Sequence, residues 1–180
     1  MRAIVIPSFG EPEVLALCEM PVPHPGPHQV SIRVAYVGVN YADVLARRNR
    51  YHSVMLPFVP GMEVSGYIHE IGEDVKGFYV GQPVAAFTLR GGYAEFALAQ
   101  AALTFPLDDA HDPLDLTTAA ASLAATATAY DILTYSAHLQ AGETILIHSA
   151  ARWRGKHCGT TCPLYGSRSC AGNGRKRAEN

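Results

Sequence analysis

A short apolar run, Thr144-Ile145-Leu146-Ile147-His148, lies between a Gly142-Glu143 turn and the small residues Ser149-Ala150-Ala151. Its length and composition predict a buried strand of a parallel α/β unit. In a unit that binds a dinucleotide, glycines come next. The backbone must turn tightly there and approach a pyrophosphate at a helix N-terminus. The chain instead runs Arg152-Trp153-Arg154-Gly155-Lys156, with no glycine-rich turn and no amphipathic helix after it. The strand points at a site that the residues following it do not build.

The composition changes at the same place. Residues 152–180 hold seven of the fourteen Lys and Arg and one acid, Glu179; residues 1–151 hold seven bases and fifteen acids. Three of the four cysteines, Cys158, Cys162 and Cys170, also lie after Ala151. The whole chain carries a formal charge of −2, which gives no reason to expect a polyanionic partner such as nucleic acid. No apolar run approaches the roughly 20 residues of a membrane span, and the first residues lack a signal-peptide layout, so a cytoplasmic location is expected.

Before the seam the chain alternates short strands and turns. Met1–Pro7, Val14–Met20 and Val30–Val37 read as strands, and the proline-rich stretch 21–28 between the last two as an extended loop. Gly38-Val39-Asn40 leads into a short helix over Tyr41–Asn49. Further strands are expected at Val64–Ile68, at Ala85–Thr88 and at the Gly91-Gly92-Tyr93-Ala94-Glu95-Phe96 segment. This spacing suggests a partly open β-barrel. Thr117–Leu139, rich in Ala and free of Gly and Pro, predicts a helix broken once. Three regions are expected: a barrel domain over 1–124, the first helix and strand of an α/β domain over 125–151, and an irregular basic tail over 152–180.

The motifs Gly38-Val39-Asn40-Tyr41-Ala42-Asp43, Pro60-Gly61-Met62-Glu63-Val64-Ser65-Gly66, Gly72-Glu73-Asp74-Val75, Gly91-Gly92-Tyr93-Ala94-Glu95-Phe96 and Thr128-Ala129-Tyr130 give residues 1–151 a resemblance. They look like the medium-chain dehydrogenase/reductase superfamily and, within it, the zinc-free NADPH:quinone oxidoreductases related to zeta-crystallin. The resemblance implies a GroES-like barrel followed by a Rossmann domain. It implies hydride transfer from NADPH to a quinone or another conjugated carbonyl, and a homodimer for a full-length version. An enoyl or alkenal reductase of the same superfamily is the neighbouring possibility. Zinc-dependent relatives place a Cys where Asn40 stands and a His where Met62 stands. Asn and Met are poor Zn²⁺ ligands beside thiolate and imidazole, so no zinc is expected.

By the same resemblance, Asn40, Thr128, Ala150 and Ala151 are the candidate cofactor contacts, with Asn40 and Thr128 beside the nicotinamide. Tyr41 and Tyr51 are candidates for the substrate pocket, where aromatic faces would stack on a flat quinone ring. Some relatives carry a cofactor-contacting Tyr where Leu45 stands. Glu63 and Asp43 read as structural hydrogen-bonding carboxylates, and His148 as structural. No catalytic residue is named, because the cofactor carries the chemistry.

The basic tail can arise in more than one way. Its His157, Cys158, Cys162 and Cys170 are spaced too irregularly for a zinc site. A non-catalytic barrel with a basic, partner-binding arm is an alternative from another class. A shifted reading frame also produces such a tail. If one extra base follows codon 151, each shifted codon joins two bases of one codon to the first base of the next. Trp153 has the single codon TGG, and an Arg codon begins with C or A, so the shifted codon is forced to glycine. With free third bases chosen, Arg152 onward can spell GGVGSTAAQLARSMGAGRVLATVGNGRK. That string supplies the missing glycine turn, a helix and a second strand. As written, the chain is expected to bind NADPH weakly or not at all.

Overall fold

Gln29–Val37, paired along both edges and buried at Val30, Ser31 and Ile32, is the spine of the fold. In the computed structural model, which describes residues 1–51, 55–107, 115–147 and 169–172, it is one strand of a five-stranded antiparallel sheet. Ahead of it, β1 (Arg2–Val5) and β2 (Ala16–Glu19) form a two-stranded antiparallel ribbon with Ala3 opposite Cys18. The spine is β3 (Gln29–Val37), followed by β4 (Glu63–Ile71), β5 (Pro83–Phe87), β6 (Phe96–Gln100) and β7 (Thr104–Pro106). Their order in the sheet is β6-β3-β4-β5-β7. Register shifts at Ser31/Ile32 and Val34/Tyr36 on β3 mark bulges, which bend a strand and increase its twist. The sheet therefore curls into the expected half-barrel. Gly66 sits where β4 passes β3; a Cβ there would collide with the Arg33 carbonyl oxygen.

The inner face is apolar. Val30, Ile32, Val64 and Val84 are fully buried, and Ile68, Ala97 and Ala99 nearly so. Each large aliphatic side chain buried this way contributes about 1.5–3 kcal/mol. A second cluster of Ile6, Ala46 and Phe58, flanked by Phe9, Tyr51 and Leu56, seats the helix α1 (Tyr41–Arg47). Arg47 is buried there, and its guanidinium donates to the Gly10 carbonyl at 2.6 Å. The helix α2 (Leu116–Ala120) is N-capped by Asp115, whose carboxylate accepts from the Thr118 N–H at 2.9 Å. The Leu116 carbonyl accepts from the Ser65 hydroxyl, which ties this helix to β4.

These elements form one compact unit, Met1–Leu123; a second comprises Ala124–Asn180. In the second, α3 (Leu123–Asp131) runs into a π-helical turn at Ile132–Ser136. After Gly142, which holds φ at +87°, comes β8 (Thr144–Ile147), paired in parallel with β9 (Ser169–Gly172). Leu133 and Leu139 make a small core with Ile145 against it.

Several expectations are corrected. The helix over Thr117–Leu139 is broken once, as expected, at Ala121-Ser122 between α2 and α3, but α3 stops at Asp131 and gives way to a π turn instead of running on to Leu139. The strand expected from Val14 begins at Ala16, because Pro12–Val14 closes a 3₁₀ turn with proline at its start. The helix expected to reach Asn49 stops at Arg47, and Asn49 takes a left-handed φ of +53°. The strand β8 is not buried: Thr144 and Leu146 are exposed and Ile145 is half-buried, since β9 is its one strand partner among the described residues. The strand β7 carries no sequence signal, since Thr-Phe-Pro is too short to show alternation. Among the described residues no helix is long and apolar enough to cross a membrane.

Candidate functional site

The site is built where three loops meet beside α1. Asn40 is extended and starts the helix, and Asp43 lies one turn in. The Asp43 carboxylate accepts three hydrogen bonds. One comes from the Asn40 N–H at 2.9 Å, one from the Gly61 N–H at 3.0 Å and one from the Tyr93 hydroxyl at 3.2 Å. A negative group in the first turn suits the partial positive charge of the helix N-terminus. One side chain thus joins the helix start to the loop before β4 and the loop before β6. Burial, and then the Asp43 charge, push the Tyr93 hydroxyl well above the ordinary tyrosine range, so it stays protonated and donates.

The two loops are also tied to each other. The Gly91 N–H donates to Val59 at 2.9 Å, Gly92 to Gly61 at 3.0 Å and Tyr93 to Pro60 at 2.9 Å. The Thr88 hydroxyl donates to the Gly61 carbonyl at 2.9 Å. Gly61 holds φ at +93°, and a Cβ there would press on Tyr93. This position requires glycine both for its backbone and for the close approach.

A cavity of about 200 Å³ opens against this framework. Its wall includes Asp43, Tyr51, Phe58, Met62, Leu89 and Arg90. The wall is aromatic and aliphatic apart from one carboxylate, engaged by its three donors, and one guanidinium. Glu63 stands next to Met62 in sequence and is buried, 2% exposed. It accepts a hydrogen bond from the Asn40 side-chain amide at 2.7 Å. That contact fixes which way the Asn40 amide is turned: its nitrogen faces Glu63.

Of the residues singled out in the sequence, Tyr51 lines the cavity. Tyr41 does not; it is the first residue of α1 and is 67% exposed. Asn40 lies at the start of the same helix, on the Glu63 side. Thr128 lies on α3 in the second unit, its hydroxyl donating to the Ala124 carbonyl at 2.7 Å. Ala150, Ala151 and His148 lie outside the described residues, as does the tail except for Ser169–Gly172. Asp43 and Glu63 do act as hydrogen-bonding carboxylates. The sequence did not point to Phe58, Leu89 or Arg90. For Leu89 and Arg90 the available signal was the Gly91-Gly92 turn that follows, which marks a loop held close to another backbone.

Asn40 and Met62 supply neither a thiolate nor an imidazole. Among the described residues, no group of three or more His, Cys, Asp and Glu could hold a metal ion. The residues after β8, as written, do not fit the pyrophosphate of a dinucleotide. Ser149-Ala150-Ala151-Arg152-Trp153-Arg154 contains no glycine for the close backbone approach.

Residues 26–109 match the alcohol dehydrogenase GroES-like domain family. Quinone oxidoreductase of Rattus norvegicus is 42% identical over 154 residues, covering 84% of this chain and 46% of that protein. Quinone oxidoreductase of Sus scrofa is 35% identical over 183 residues, covering 100% of this chain and 55% of that protein. Among solved structures, Escherichia coli quinone oxidoreductase complexed with NADPH superposes with a TM-score of 0.84 at 25% identity, over 96% of this chain and 52% of that one. The chain spans about half the length of the curated relatives it matches. Its half-barrel, its matched GroES-like region and these relatives make the chain similar to an N-terminal fragment of medium-chain dehydrogenase/reductase proteins, quinone oxidoreductases among them.

Proposed function

We propose that residues 1–124 are the substrate-side part of an NADPH-dependent, zinc-free quinone oxidoreductase, and residues 125–151 the start of its cofactor domain. Joined to an intact cofactor domain, they would take part in hydride transfer to a quinone or another conjugated carbonyl. The observation that carries this is the cavity beside α1. Tyr51, Phe58 and Met62 offer it flat and polarizable surface. A planar ring suits such a wall, and placement of the ring is what hydride transfer needs most. We also propose a cytoplasmic, homodimeric full-length form.

We infer further that Arg152 onward is read out of frame. The match to the rat protein covers 84% of the 180 residues, which is the length of the stretch before Arg152. The match to the pig protein runs the whole chain at lower identity, as a tail adding length without identical residues would give. The parallel strand β9 falls on codons 169–172, which spell Arg-Val-Leu-Ala in the shifted string. As written they spell Ser-Cys-Ala-Gly, residues with little preference for a strand.

The test is to express the chain with its frame restored and follow NADPH oxidation with a panel of quinones and a panel of enones and alkenals. Turnover of quinones supports the proposal. Turnover confined to the enones assigns the protein to the enoyl or alkenal reductases. A folded, restored protein that oxidises NADPH with neither panel refutes both. In that case a barrel with a partner-binding tail fits better, and a salt-sensitive contact would be its sign.

A further inference from the structure

Among the described residues, Arg90 is the one cation on the wall of the α1 cavity. Among the described residues its guanidinium has no hydrogen bond and no ion pair, whereas the Asp43 carboxylate on the same wall is taken up by Asn40, Gly61 and Tyr93. Arg90 is also held in place. The loop that carries it is pinned on both sides, by Thr88 N–H to the Met62 carbonyl and by Gly91 N–H to the Val59 carbonyl, each at 2.9 Å. Its neighbour Leu89 is forced to a φ of +61° and left 70% exposed. A non-glycine residue in the left-handed region costs roughly 1–3 kcal/mol, and such residues gather at ligand sites. Here the strain holds a leucine and an arginine at the mouth of the cavity.

We propose that Arg90 determines specificity, selecting ring substrates that carry an anionic oxygen on the edge directed to the solvent. The ring rests on Tyr51, Phe58 and Met62, and the guanidinium meets the oxyanion through charge-assisted hydrogen bonds. An ionised hydroxyquinone has this form. The inference rests on the quinone assignment above and narrows it to a substrate class.

Two probes of nearly equal size separate the outcomes: lawsone, a hydroxynaphthoquinone ionised at neutral pH, and menadione, its neutral methyl analogue. Isothermal titration calorimetry on the chain as it exists, at low ionic strength, compares the two. Lawsone is expected to bind about tenfold more tightly than menadione, the scale of one charge-assisted contact at a wet site. Arg90→Gln is expected to bring the ratio close to one with menadione affinity unchanged, and Arg90→Lys to retain part of the preference. Arg90 is exposed and makes no hydrogen bond or ion pair among the described residues, so neither variant should disturb the fold; the aromatic circular dichroism of each checks this. Equal binding of both probes to the unaltered chain overturns the role of Arg90 and leaves the quinone pocket standing. So does a lawsone preference that survives in Arg90→Gln. Failure of the unaltered chain to bind either probe overturns the quinone pocket, and the role of Arg90 with it.

Discussion

Replacing Asp43 with alanine removes the acceptor that joins α1 to two loops, and the structure sets the size of the loss. Two of its three donors are backbone N–H groups, of Asn40 and Gly61, and Gly61 is buried. The third is the half-buried Tyr93 hydroxyl. Hydrogen bonds to a charged group contribute about 1.5–3 kcal/mol each, but contacts made by one side chain do not add fully. A loss of about 3 kcal/mol follows for Asp43→Ala. On a unit of this size it should lower the melting temperature by about 10–15 °C. Asp43→Asn keeps an acceptor for one N–H and should cost about 1–2 kcal/mol, and Tyr93→Phe about 1 kcal/mol. Because they break one shared contact, the double variant should cost less than the two singles together. Thermal unfolding followed by tyrosine circular dichroism measures all four. A melting point for Asp43→Ala within about 3 °C of the parent would refute the reasoning, since even one lost charged hydrogen bond exceeds that.

The same contact sets a pH dependence. In the unfolded chain Tyr93 ionises near its ordinary value of 10.0, while in the folded unit burial and Asp43 hold the proton on. The folded form therefore binds more protons above that pH. Stability is complete below it and falls as pH rises, and Asp43→Asn should make the fall shallower; alkaline denaturation curves of the two proteins check this. Asn40→Asp would set a second carboxylate against buried Glu63, 2.7 Å from where the Asn40 amide nitrogen lies. That variant should lose about 2–4 kcal/mol at neutral pH and recover part of it as pH falls and the pair takes up a proton; urea unfolding at several pH values reads this out. Gly61→Ala, at φ +93° with a Cβ pressed on Tyr93, should cost at least about 2 kcal/mol by the same measurement.

The parts of the fold legible in the sequence were those with a local period. Val30, Ile32 and Val34 alternate because one face of β3 is buried, and turn residues marked the edges of most strands. The curl came from two bulges on β3 and the close pass at Gly66, which no pattern of apolar residues encodes. The site was legible in part. Asn40, Met62 and Tyr51 fall within or beside short motifs, and Tyr51 does line the cavity. The node at Asp43 joins residues up to 50 positions apart, so its three partners emerged only from the fold. Arg90 carries no signal beyond the glycine turn after it, because a loop cation looks the same whether it faces a cavity or open water. The burial of β8 was overestimated because an apolar strand shows how readily it can be covered, not whether anything covers it.

Determining the coding DNA across codons 148–180 tests most directly whether a cofactor domain belongs behind β8. One base onward from codon 151, the bases should spell Gly-Gly-Val-Gly and then the Ala- and Leu-rich helix, ending in a second strand over codons 169–172. Codons whose third bases cannot spell that glycine turn would contradict the shifted frame. They would make the basic tail a genuine segment of the protein and leave the proposed NADPH chemistry without a phosphate-binding loop.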